Sequence, residues 1–174
     1  RCARDDSLSY PTNSRRTSTM LEPGDKPPPF TLTDGSGRPV SLAEFEGKQV
    51  ILYFYPKDDT PGCTKEACGF RDAWDEIRDL GAVVLGVSAD GGESHRRFAA
   101  KYRLPFPLLS DPGHQVMQAY GAYGEKTSYG KKTVGVIRST VWIGPDGRVR
   151  RHWPRVSNAA EHPDQVLAAL RDEA

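Results

Sequence analysis

Two hydrophobic periods organise the chain. Val50-Ile-Leu-Tyr-Phe-Tyr55 is an unbroken β-branched and aromatic run, the pattern of a strand buried on both faces. Between Cys63 and Leu80, the residues Ala67, Phe70, Trp74, Ile77 and Leu80 recur at three- and four-residue steps. That spacing predicts one helix with a single apolar stripe, ended by Gly81 just past its last turn. Ala82-Val-Val-Leu-Gly-Val87 repeats the buried-strand pattern, so the three segments read as a βαβ unit with parallel strands and a right-handed crossover.

Upstream, Phe30-Thr-Leu and Pro39-Val-Ser-Leu flank the turn former Asp34-Gly-Ser-Gly, which predicts an N-terminal β-hairpin. Downstream, a helix is expected over Glu93 to Tyr102 with Phe98 and Tyr102 inward, a short strand at Pro107-Leu-Leu-Ser, and a short helix over Gln115 to Tyr120. Thr140 to Ile143 and Arg148 to Trp153 pair across Gly144-Pro-Asp-Gly147 as a second hairpin. Pro163 to Arg171 closes the chain as an amphipathic helix. A βαβ unit followed by a hairpin and a terminal helix is an α/β arrangement of the thioredoxin-like type, a central mixed sheet flanked by helices.

Composition narrows the function classes. The 174 residues suit one domain with a sizeable core, here residues 22–174. Residues 1–21, rich in Arg, Ser, Thr and Asp without apolar periodicity, read as a disordered tail. A net charge of +1 gives no general attraction to nucleic acid or anionic lipid, and no apolar run approaches a membrane span. The expectation is a soluble cytoplasmic protein with no nucleic-acid or membrane partner.

Three cysteines, Cys2, Cys63 and Cys68, are too few for a disulfide framework, and Cys2 lies in the tail. His95, His114, His152 and His162 form no close pair, so each is expected at the surface or at a helix cap, and no metal or cofactor is expected. Gly124 and Gly130 before Lys131-Lys-Thr resemble a phosphate loop only loosely, since five residues separate the glycines and no buried strand precedes them. Arg148-Val-Arg-Arg-His152 reads as a solvated hairpin face.

The segment with chemistry is Pro56-Lys-Asp-Asp-Thr-Pro-Gly-Cys-Thr-Lys-Glu-Ala-Cys68, placed where a buried strand gives way to a helix. Cys63 falls in the first turn, whose free N–H groups favour an anion such as a thiolate. Ionisation alone is a small advantage. For thiols in general, lowering a pKa from ~8.5 to ~6 raises the thiolate fraction about 30-fold at neutral pH but costs about tenfold in nucleophilicity. A fast thiol enzyme therefore also needs a hydroxyl and a cation acting on its substrate. Thr60 offers the hydroxyl, or else serves as the helix N-cap. Spacing alone leaves Cys63 open between a nucleophile and a buried structural cysteine.

Pro56…Thr60…Cys63 matches the Pro-x-x-x-Thr-x-x-Cys signature of peroxiredoxins. The string from Tyr53 to Asp72 resembles the bacterioferritin comigratory protein or Q-type branch. The likeness continues through Leu108-Leu-Ser-Asp111, Tyr123-Gly-Glu-Lys126 and Gly135-Val-Ile-Arg-Ser-Thr140, leaving only the tail outside. The resemblance implies a peroxidase that reduces hydrogen peroxide and organic hydroperoxides, recycled by thioredoxin or a similar dithiol reductant, often as a monomer. It implies that Cys63 attacks the peroxide and becomes a sulfenic acid, that Thr60 hydrogen-bonds the peroxide, and that Pro56 shields the intermediate. Arg138 would steady thiolate and peroxide; without the resemblance it reads as a solvated strand end. Cys68 would be the resolving cysteine, forming a Cys63–Cys68 disulfide.

Five residues of α-helix set Cα atoms about 8–9 Å apart, beyond the ~4.4–6.8 Å of a disulfide. The first turn must therefore unwind before the two sulfurs can join. A thioredoxin-type protein dithiol–disulfide oxidoreductase is the alternative, although such proteins usually carry Cys-x-x-Cys and four residues intervene here.

Overall fold

The computed structural model describes residues 20–173. Strands β1 (Thr31–Asp34) and β2 (Pro39–Ser41) form the expected N-terminal hairpin. Strand β3 (Gln49–Phe54), helix α1 (Pro61–Asp72), helix α2 (Trp74–Asp79) and strand β4 (Ala82–Ser88) follow. Next come α3 (Gly92–Tyr102), β5 (Leu108–Ser110), α4 (Gln115–Ala119), β6 (Tyr123–Ser128) and β7 (Lys131–Val136). Strands β8 (Ser139–Ile143) and β9 (Val149–Trp153) and helix α5 (His162–Asp172) complete the chain.

Seven strands form one mixed sheet in the order β2-β1-β5-β4-β3-β8-β9. Strands β3, β4 and β5 run parallel at its centre, and antiparallel partners flank them. Alternation along β3 supplies both cores. Ile51, Tyr53 and Tyr55 pack with Phe70, Ile77, Phe98 and Leu170 from α1, α2, α3 and α5. Val50, Leu52 and Phe54 pack with Met117, Tyr120 and Val149 on the other face.

Several expectations change. The helix expected over Cys63 to Leu80 is two helices, broken at Ala73 (φ −90°, ψ 0°), a bridge-region conformation that turns the chain without Gly or Pro. Strands β6 and β7 form a separate ribbon not foreseen from the pattern. Its Tyr129–Gly130 turn has positive φ at both positions, the type I′ geometry that suits right-twisted hairpins.

Three of the four histidines are buried, contrary to expectation. His95, His152 and His162 each find a hydrogen-bonding partner far along the chain, which offsets part of the cost of burial, although His152 Nε2 has none among the described residues. The tail expectation falls mainly on residues 1–19, outside the described residues. At its end, Leu21 is tied down by donating its N–H to His152 Nδ1 at 2.9 Å.

Candidate active site

Three elements converge at the C-terminal end of β3. Thr60 precedes α1 in extended conformation (φ −100°, ψ 155°), and Pro61 stands at the first helical position, where its missing N–H costs nothing. The helical ladder begins where Thr64 N–H donates to the Thr60 carbonyl at 2.8 Å. The N–H groups of Gly62 and Cys63, which precede that bond, thus lie in the anion-favouring turn of the helix. Thr60 sits in the N-cap position but its hydroxyl does not cap; it donates to the Lys57 carbonyl at 2.9 Å. With its hydrogen committed there, Thr60 Oγ1 keeps its lone pairs to act as an acceptor. Pro56 is half-buried at the start of the same loop.

Arg138 arrives from the start of β8, the strand beside β3 in the sheet. Antiparallel pairing sets Ser139 opposite Phe54, so the residue before β8 lies beside the loop that leaves β3. Its carbonyl accepts from Val156 N–H at 2.8 Å, which fixes the backbone. The side chain donates from Nη2 to Cys63 Sγ at 3.3 Å and from Nη1 to Glu66 Oε1 at 2.8 Å. Cys63 is buried at 1% exposure. Burial opposes the guanidinium's charge, but Glu66 and the Cys63 sulfur hold it more firmly protonated than usual.

Sequence reasoning missed Glu66. It lies on the buried face of α1 with Cys63, Ala67 and Phe70. Burial pushes its carboxyl up to about 7, against the pull of Arg138. One oxygen, Oε2, and the hydroxyl of Tyr53 are buried without hydrogen-bond partners among the described residues. The Tyr53 hydroxyl is held far above its usual range, first by burial and then by the negative charges of Glu66, Cys63 and Asp58. Gly62 was missed as well: a Cβ there would lie 3.1 Å from Arg138 Nη2, so the bare backbone lets the guanidinium reach Cys63. The available signal was a carboxylate at i+3 from the cysteine, on an otherwise apolar stripe.

Cys63 and Cys68 are both free and share the unbroken helix α1. Cys68 is half-buried beside a groove lined by Lys65, Asp72, Glu76 and Asp164. At the neighbouring Gly69, a Cβ would come within 2.7 Å of Pro163, so α5 crosses α1 at this point. Phe54, Phe70 and Trp74 all belong to or pack on the cores rather than line an open pocket at Cys63. Among the described residues no group of three His, Cys, Asp or Glu could hold a metal ion.

Known proteins resemble the chain along most of its length. The AhpC/TSA family model matches residues 23–152. A putative peroxiredoxin bcp of Coxiella burnetii is 51% identical over 150 residues, covering 86% of this chain and 99% of that protein. The chloroplastic peroxiredoxin Q of Sedum lineare is 52% identical over 167 residues, 95% of this chain and 86% of that one. A solved bacterioferritin comigratory protein of Xanthomonas campestris, described in terms of alkyl peroxide reduction, superposes with a TM-score of 0.77 at 40% identity, covering 83% of this chain and 91% of that one. The chain thus belongs to the AhpC/TSA family, in its peroxiredoxin Bcp/Q branch, and is a thiol-dependent peroxidase with the thioredoxin-like fold.

Proposed function

We propose that Cys63 is the atom-transferring nucleophile and Cys68 the resolving thiol of this peroxidase. The observation that carries the reading is the Arg138 guanidinium 3.3 Å from a buried Cys63 Sγ in the first turn of α1. The Cys63 thiolate attacks the terminal oxygen of a hydroperoxide. The O–O bond breaks, and the leaving oxygen takes a proton to depart as water or alcohol while Cys63 becomes a sulfenic acid. Arg138 and the first-turn N–H groups offset charge on the oxygens as that bond stretches. Thr60 Oγ1, acting as acceptor, orients the hydroperoxide O–H, and Pro56 walls the site from water.

Cys68 then attacks the sulfenate sulfur, expelling the oxygen as water and forming the Cys63–Cys68 disulfide. Because α1 holds the two Cα atoms too far apart, its first turns open for this step. A dithiol protein of thioredoxin type returns both sulfurs to thiols. Such recycling needs a reducing compartment, so we place the protein in the cytoplasm, as a monomer.

Thioredoxin-coupled NADPH consumption with hydrogen peroxide, and separately with an insulin disulfide, tests the reading. Peroxide-dependent turnover that vanishes in Cys63→Ser is expected; turnover with insulin alone would overturn it. Cys68→Ser should consume one equivalent of peroxide per chain and then stop with thioredoxin as sole reductant. Unimpaired cycling would remove Cys68 from the mechanism. Light scattering on a sizing column should give one chain per particle, and cell fractionation should recover the protein with the cytoplasm.

A further inference from the structure

A second polar cluster lies under the same loop, away from the reacting sulfur. Asp58, two residues before Thr60, is buried with His95 of α3; their side chains are 3% and 0% exposed, and His95 Nδ1 lies 2.7 Å from Asp58 Oδ2. The Tyr55 hydroxyl donates to Asp58 Oδ1 at 2.5 Å and the Ser94 hydroxyl to Oδ2 at 2.8 Å. On its far side, His95 Nε2 lies 3.1 Å from the Leu109 carbonyl in β5. A carbonyl only accepts, so Nε2 carries a hydrogen, and the ring's other nitrogen shares a further proton with a carboxyl that already accepts from two hydroxyls.

The loop backbone is tied to the same region. Asp58 N–H donates to Asp90 Oδ2 at 2.8 Å. Asp59, in the left-handed region at φ +56°, is held from outside by Lys101 Nζ and the Tyr102 hydroxyl, each at 2.8 Å. Among the described residues, the hydrogen bonds of Asp58 and Asp59 run to Tyr55, to Asp90 or to α3, and through His95 to β5; none runs to α1. That independence matters because the Thr60 hydroxyl is oriented through Lys57, inside the tethered stretch.

Stability alone is a poor reason for the cluster. A buried hydrogen-bonded polar pair, even a charged one, is on average no better for folding than apolar residues of similar volume. We propose that the Asp58–His95 pair is a positioning device for the peroxide step: it anchors the loop carrying Pro56 and Thr60 to α3 and β5, so that Thr60 keeps its place while α1 opens and recloses. Neither residue touches the peroxide. The inference rests on the roles given above to Cys63, Cys68 and Thr60.

The test is stopped-flow tryptophan fluorescence of the reduced full chain mixed with hydrogen peroxide. It separates second-order thiol oxidation from first-order disulfide formation. In Asp58→Ala/His95→Leu, which removes both partners together, oxidation should slow at least ~10-fold, because small misplacements of a positioning group cost rates of that size. Disulfide formation should stay within about twofold of wild type. If that variant does not fold, His95→Gln carries the same expectation at several-fold. A folded variant that oxidises at the wild-type rate overturns the proposal. So does one in which both steps decline together with the melting temperature, since that is a purely structural role. Failure of the underlying reading is distinguishable, because the wild type would then lack the peroxide-dependent phase or the first-order phase that follows it.

Discussion

Glu66 stands one helical turn beyond Cys63, and the two accept hydrogen bonds from opposite nitrogens of one guanidinium, that of Arg138. The carboxylate contact fixes where the arginine sits; the sulfur contact is where the proposed mechanism has its charge act. Each can be perturbed separately.

Removing the cation should leave a folded but slow enzyme. Arg138→Ala is expected to lower the second-order rate of Cys63 oxidation by about 10²–10³, the usual loss for one preorganised donor at developing charge. Arg138→Lys keeps the charge but cannot engage both partners from a planar fork, so it should recover only part of the rate. Competition against a reporter peroxidase for limiting peroxide measures both. A wild-type rate in Arg138→Ala would exclude the cation from the chemistry.

Gly62→Ala separates stability from activity. Within a helix, alanine is favoured over glycine by about 1 kcal/mol. Here its Cβ would press on Arg138 Nη2 at 3.1 Å. The melting temperature should hold or rise while kcat/KM falls about tenfold, as expected for a displaced charge-stabilising group. Unchanged kcat/KM would show that the guanidinium moves aside freely.

Glu66 makes stability depend on pH. Its carboxyl is raised from 4.5 to about 7, first by burial and against Arg138, so the folded chain keeps a proton that the unfolded chain releases. This contribution is complete below pH 4.5 and is lost as pH rises through 7. Urea unfolding at about pH 5 and pH 8 should show wild type losing about 2–3 kcal/mol relative to Glu66→Gln. A constant difference would mean the carboxyl does not titrate in this range.

His162 acts in the opposite direction. Burial lowers it from 6.5 to about 4, with the Gln165 bond opposing and Arg138 and Arg151 adding to the effect. The folded chain therefore favours the neutral ring, whose Nε2 lies 2.8 Å from Thr140 Oγ1. Its contribution is present above pH 6.5 and lost as pH falls through 4, which amounts to about 3 kcal/mol. Between about pH 7 and pH 4, wild type should lose that much relative to His162→Gln; equal acid sensitivity would contradict it.

The sequence carried the sheet core, the first hairpin and the helix bearing Cys63, because each buries an apolar face whose period is visible locally. It did not carry the break at Ala73, where neither Gly nor Pro marks the bend. The β6–β7 ribbon was hidden for a different reason. Standing apart from the main sheet, it has mostly exposed positions and little alternation, and Tyr129 occupies a turn position where Asn would have announced it.

At the site, Pro56, Thr60 and Cys63 were legible from spacing and resemblance, and Arg138 only from resemblance. Glu66, Gly62 and the Asp58–His95 pair emerge only when segments far apart in sequence meet. Asp58 and His95 are 37 residues apart, and no local pattern signals such a contact.

Under the proposed disulfide step, the joint at Ala73 would bound what turnover exposes. An opening of α1 would stop there, since α2 has its own anchors in buried Ile77 and in Trp74 against Phe106. A protease present during turnover would thus meet at most the opened turns within the 12-residue stretch of α1, with their scissile bonds on offer while the disulfide holds them apart and withdrawn on reduction. Redox state would be written directly into the protein's lifetime.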